Sequence, residues 1–184
     1  MTGRGIKACF PRRRQATRRR SNRQEATLAD RIRISEARSG LDVTVGLDAE
    51  RAPANAAFLW NLLVEPRAIQ GIHAMWTGPE ISCPVPDAML AEEQRVPLPV
   101  ECGTIMPQPG EIVLTYLPAR FWGGGEAPVF DIGLFYGPQA RLFFPVGWIT
   151  GSVVGRIADV GALATACGVI RRGGQATLLF SRVT

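Results

Sequence analysis

The side chains best suited to chemistry are few. The chain has one histidine, His73, and four cysteines, Cys9, Cys83, Cys102 and Cys167. A Cys–His nucleophilic pair needs a thiol and an imidazole that meet in space rather than in sequence, so Cys83 or Cys102 with His73 is one open arrangement. The plainer reading is that the thiols are reduced and half-buried in a cytoplasmic protein. The cysteines form no Cys-x-x-Cys pair, and the usual structural zinc spacings are absent, so no metal is expected. No cofactor is expected either. The chain lacks a G-x-x-x-x-G-K-[ST] phosphate loop and a G-x-S-x-G elbow, and Gly123-Gly124-Gly125 reads as a loop tip. Arg171-Arg172 could clamp an anion at a helix-to-strand turn, or could simply be an exposed charged pair.

Clustered arginine is the other chemical signal, and it is confined to one end. Residues 1–33 hold eleven basic side chains against Glu25 and Asp30, a balance of +9. The whole chain carries +5, so the rest carries −4. Residues 1–30 show almost no apolar periodicity and read as a disordered Arg-rich tail. Clustered Arg can neutralise phosphate, but only Phe10 interleaves and no recognition fold follows, so a nucleic-acid partner is not expected. The Arg pairs are followed by Ser21-Asn22-Arg23-Gln24-Glu25 where an export signal would be apolar. No uninterrupted apolar run approaches the roughly 20 residues of a membrane span.

The elements that must position His73 begin at Arg31. Ile32 and Ile34 alternate with Arg31, Arg33 and Ser35, and Leu41, Val43, Val45 and Leu47 alternate after a turn at 37–40. This predicts a hairpin with one apolar face. Pro53 suits the first position of a helix whose stripe is Ala56, Leu59, Trp60 and Leu63, with Pro66 as its stop. Short strands are predicted at about 69–76, 80–84, 111–117, 129–136, 140–144 and 148–156. A second helix is predicted from Asp159 as N-cap to Gly168 as C-terminal cap, and a last strand from Gln175 to Val183. About eight strands and two single-striped helices fit a mainly β, closed barrel with its ends covered, spanning 31–184. Two irregular connections remain: 84–110, with six prolines, and 118–128, with the glycine triplet. Long loops in a compact domain are more often functional than idle.

The stretch from Asp48 to Phe58, following the hairpin, is similar to the stretch that opens the first helix of a cyclophilin-type barrel. More specifically, residues 31–184 resemble an uncharacterised bacterial family of cyclophilin-like proteins, a domain of unknown function. The resemblance is carried by Ile72-His73-Ala74-Met75-Trp76-Thr77-Gly78, Glu101 with Thr104, Pro107-Gln108-Pro109-Gly110-Glu111, Asp131 before Tyr136-Gly137, and Arg172-Gly173-Gly174-Gln175. The chain departs from that family at Met75, where Arg is frequent, at Cys102-Gly103 within an E-N-x-T pattern, and at Gly147-Trp148, where Gly-Asn is expected. The F-H-R and G-F-M-x-Q-G-G-D stretches of true cyclophilins are missing, so prolyl isomerase activity is not expected.

The resemblance implies that His73, Trp76, Glu101, Thr104, Asp131 and Tyr136 gather around one pocket, between the 84–110 loop and the strand bearing His73. A lone His beside Trp with two carboxylates could bind a polar small molecule or act as a general base. The expected function is therefore polar small-molecule binding. The alternatives are an enzyme of small substrates, or a scaffold that assembles as a homo-oligomer through exposed Phe121, Trp122 and Phe130.

Overall fold

The computed structural model describes residues 30–121 and 125–183. The Arg-rich tail, Cys9 and Trp122 lie outside the described residues. Alternation sets the frame. In β1 (Arg31–Glu36) Ile32 and Ile34 are fully buried, and in β2 (Leu41–Leu47) Leu41, Val43, Val45 and Leu47 point the same way. Gly40 takes a φ of +70° in the turn between them, which favours a residue without a Cβ.

After β2 the chain forms α1 (Pro53–Leu62), β3 (Arg67–His73) and β4 (Glu80–Pro84). Two single 3₁₀ turns then interrupt the proline-rich connection. Next come β5 (Gly103–Thr104), β6 (Glu111–Leu117), β7 (Val129–Phe135), β8 (Phe143–Phe144), β9 (Gly147–Trp148) and β10 (Gly151–Arg156). The chain ends in α2 (Val160–Gly173) and β11 (Gln175–Val183).

Eight of these strands close a ring in the order β2-β1-β11-β3-β4-β7-β6-β10, every pairing antiparallel, with β10 returning to β2. Closure leaves no open edge, and an eight-stranded ring is just wide enough for its own side chains to fill. The short β5 adds to β10.

The helices cover the two mouths. On α1, Ala56, Leu59 and Leu62 are buried, and Phe58 stacks on Phe130 at 4.8 Å between centroids, where β7 begins. On α2, Leu163, Ala166, Cys167 and Ile170 are buried against the mouth where β3 ends and β11 begins. A second apolar cluster lies outside the barrel wall. There Val113, Phe135 and Val153 are covered by Ala140, Leu142 and Ile149 beside the β8–β9 hairpin. No helix among the described residues is long and apolar enough to cross a membrane.

Several elements differ from expectation for physical reasons. Helix α2 does not end at Gly168 but runs to Gly173, because Ile170 extends the buried stripe, and Gly174 at φ +81° makes the cap. Burial there outweighs the cost of about 1 kcal/mol for glycine within a helix. The N-cap is as expected, with the Asp159 carboxylate accepting the Ala162 N–H at 2.8 Å. Helix α1 stops at Leu62, well before Pro66. The strand expected at 140–144 shrinks to two residues, and that at 148–156 divides into β9 and β10. Phe130, expected as an exposed contact, is fully buried in the core, while Phe121 is partly exposed.

Candidate functional site

His73 is the last residue of β3 and pairs with Ile81, so it faces inward at the α2 mouth. Tyr136 follows β7 directly and continues the inward set of Ile132 and Leu134. The two side chains share a hydrogen bond, Nε2 to Oη, of 2.8 Å, with ring centroids 6.0 Å apart. Burial holds His73 below the usual histidine range, and the positive charge of Arg171 on α2 pushes the same way. Burial raises the Tyr136 phenol, a rise that Arg171 partly opposes. At neutral pH the pair is therefore uncharged and can both donate and accept.

Asp131 is not part of this group. Side chains alternate along a strand, so residues five apart face opposite ways. Asp131 accordingly lies on the outer face of β7, where the Ser82 hydroxyl reaches its two oxygens at 2.9 and 3.0 Å. Beside it on β4, Glu80 is almost wholly buried and accepts the Thr77 hydroxyl. Burial and then the charge of Asp131 push the Glu80 carboxyl up to about 8. Burial likewise raises Asp131, to about 6, against the pull of the Ser82 hydroxyl and the Cys83 N–H.

Glu101 stands at the other mouth. Ala52, the residue before α1, has no side-chain oxygen to cap the helix. Glu101 does this from the far connection, accepting the Ala54 and Asn55 N–H groups at 3.2 and 3.0 Å and the Asn55 side-chain amide at 2.7 Å. Burial pushes its carboxyl up, but the Asn55 and Ala54 donors outweigh this and hold it below the usual range. Thr104 sits on β5, its hydroxyl accepting the Met106 N–H at 3.1 Å. Trp76 lies in the loop 74–79 that follows His73 and is 48% exposed, so it does not fill the core.

The structure thus brings His73 and Tyr136 together and distributes Trp76, Glu101, Thr104 and Asp131 elsewhere. The proline-rich connection does form a groove, of about 940 Å³, but its other wall is α1. It touches β3 at Arg67, the end of the strand away from His73. A Cys–His pair does not form, since the partner of the imidazole is Tyr136. The buried Cys83 thiol is pushed well up by burial and then by the charges of Asp131 and Glu80, and burial raises Cys167 to about 12. Neither is a ready nucleophile. Among the described residues no group of three or more His, Cys, Asp or Glu is arranged to hold a metal.

Sequence reasoning missed Glu80 and the action of Arg171. For Glu80 a signal existed: it opens a strand on the same face as Ser82 and is register-paired with Phe135, next but one to Gly133. A Cβ at Gly133 would overlap the Glu80 carboxyl, so glycine makes the room.

A closed, mainly β barrel with both mouths covered by helices and a neutral His–Tyr pair at one rim is the class that fold and site define. The chain belongs to a family described as protein of unknown function (DUF3830), whose model matches residues 34–182. No curated protein matches it. Among solved structures it is similar to McbB in complex with tryptophan, with a TM-score of 0.54 and 18% identity. That match covers 83% of this chain but only 46% of the McbB chain. It is also similar to the hypothetical protein AF2241 from Archaeoglobus fulgidus, with a TM-score of 0.50 and 18% identity over 84% of this chain and 95% of that one. At such identities the likeness is one of fold.

Proposed function

We propose that this protein binds a polar small molecule at the α2 mouth of its barrel, against His73 and Tyr136. The observation that carries this reading is the uncharged His73–Tyr136 hydrogen bond at a rim flanked by Arg171. A neutral imidazole, a phenol and a guanidinium together offer donors, an acceptor and a positive charge within one small region. Barrel mouths are a common place for such sites. The tryptophan held by McbB, a barrel of similar fold, is a polar molecule of the size envisaged. Neutral His73 is also the form that a general base requires, so any ligand found deserves a turnover assay.

A thermal-shift screen of the purified chain against amino acids and other small polar metabolites tests the reading. A ligand at a hundred times its Kd stabilises the folded state by about 2.7 kcal/mol, a shift of several degrees for a domain of this size. The expected result is at least one ligand whose shift disappears in His73→Ala. Shifts that survive that change intact would place binding elsewhere.

A further inference from the structure

Helix α1 carries no charged residue from end to end. A helix that is apolar all round is normally covered on every side. Its inner face closes a barrel mouth, with Ala56, Leu59 and Leu62 buried. Its outer face is left open. There Ala54, Ala57 and Asn61, with Val64 just beyond the helix, form the floor of the groove of about 940 Å³. The opposite wall is the proline-rich connection, which presents Met89, Val96 and Leu98. That wall is braced by its own bonds. The Arg95 guanidinium donates to the Glu92 carboxylate at 3.3 Å and to the Asp87 carbonyl at 3.2 Å. The Asn55 side-chain amide donates to the Pro99 carbonyl at 3.0 Å, which ties the wall to α1. The two walls therefore stand apart, and Val64 and Val96 remain 67% and 52% exposed. A preformed concave space of this size, with apolar side chains on both walls, falls within the roughly 300–1,000 Å³ of small-molecule sites.

Past Val64 the floor runs on to a cation. Arg67 opens β3 and is partly buried, with its Nε donating to the Leu62 carbonyl at 3.1 Å. Among the described residues its side chain makes no other hydrogen bond and no ion pair. Glu65 lies two positions away and Glu93 lines the groove, yet both are exposed and neither pairs with it. A planar guanidinium with its outer N–H groups unused matches a carboxylate, which it can hold through two parallel bonds. We propose that the groove between α1 and residues 88–99 binds an amphipathic carboxylate, its apolar chain along Ala57 and Val96 and its carboxylate at Arg67. Charge complementarity sets the head of the ligand, and the apolar walls set its body. A neutral apolar ligand leaves Arg67 unmatched, and a cationic one is repelled by it. The site lies at the mouth opposite His73 and does not rest on the His73–Tyr136 reading.

NMR titration of the full chain with octanoate at pH 7 tests the site, with octylammonium as the same apolar chain bearing the opposite charge. Octanoate should shift the Ala57, Asn61 and Val96 amides saturably, and octylammonium should bind at least tenfold more weakly. Arg67→Gln should weaken octanoate at least tenfold without weakening octylammonium. Ala57→Phe, which fills the groove from an exposed helix position, should abolish octanoate binding. The two substitutions lie on different elements, so either decides the matter should the other not fold. No saturable shift, equal affinity for the two ions, or shifts confined to residues around His73 would each overturn the proposal. Octanoate affinity unchanged in Arg67→Gln or in Ala57→Phe would do the same.

Discussion

Glu101 and Glu80 each tie a connection to the barrel wall, and they do so in opposite electrostatic states. Glu101 receives three donors from the first turn of α1, two of them backbone N–H groups that a helix start always leaves unpaired. Its charge is an asset there, next to the positive end of the helix dipole. Glu80 has one hydroxyl donor and a second acid beside it, so its charge is a liability. Burial raises both carboxyls, and the donor set decides which one ends up low and which high. One glutamate is a fixed structural clamp, and the other is a group that can change state.

The largest test of that contrast is the pH dependence of stability, measured as urea midpoints for Glu80→Gln and Glu101→Gln. A carboxyl raised in the folded state contributes stability that is intact below the usual carboxylate range and is lost as pH climbs towards about 8. Glu80→Gln should remove that loss and exceed wild type above pH 8, by on the order of 2–4 kcal/mol at one pKa unit per 1.4 kcal/mol. A carboxyl lowered in the folded state behaves the other way, with its contribution present at neutral pH and lost as acid protonates it. Glu101→Gln should therefore cost about 1–2 kcal/mol at pH 7, as losses of helix caps do, and approach wild type in acid. Curves that move in the same direction for both variants would break the comparison.

A smaller effect sharpens the Glu80 side. Ser82→Ala removes the only side-chain donor to Asp131 and should cost about 1 kcal/mol at neutral pH. That hydroxyl also restrains the rise of Asp131, so its loss should steepen the alkaline fall in stability. An unchanged slope would mean that Ser82 is not acting on the ionised form.

Local order was legible in the sequence, and long-range placement was not. Short runs bounded by turn residues located β4 and β6, and the run from Gln175 to Val183 located β11, all with their observed bounds, while the capping chemistry of Asp159 located the start of α2. Its end was misplaced because Gly168 looks like a cap unless the burial of Ile170 is known. Glu101 looked like a ligand residue because its partners, Ala54 and Asn55, lie nearly fifty positions away. A hint was present all the same: the residue before Pro53 is an alanine, which leaves the helix start in need of a distant acceptor. The odd spacing of Asp131 and Tyr136 already put them on opposite faces of one predicted strand. That Glu80 and Asp131 lie on the same outer face of neighbouring strands depends on which strands pair in the closed ring, and no local pattern specifies that.

The smallest effect concerns the neutral pair at the α2 mouth, which stands apart from both glutamates because no charge holds it together. His73 is the chain's one histidine, so its NMR titration can be followed without assignment ambiguity. Burial is the main reason it titrates low, and Arg171 adds to it. Tyr136→Phe removes an uncharged hydrogen bond and should cost no more than about 1 kcal/mol, leaving His73 still depressed. Arg171→Gln should raise the His73 midpoint only part of the way to its ordinary value, since burial remains. A full return would assign the whole depression to charge, and no movement at all would mean that Arg171 does not act at this rim.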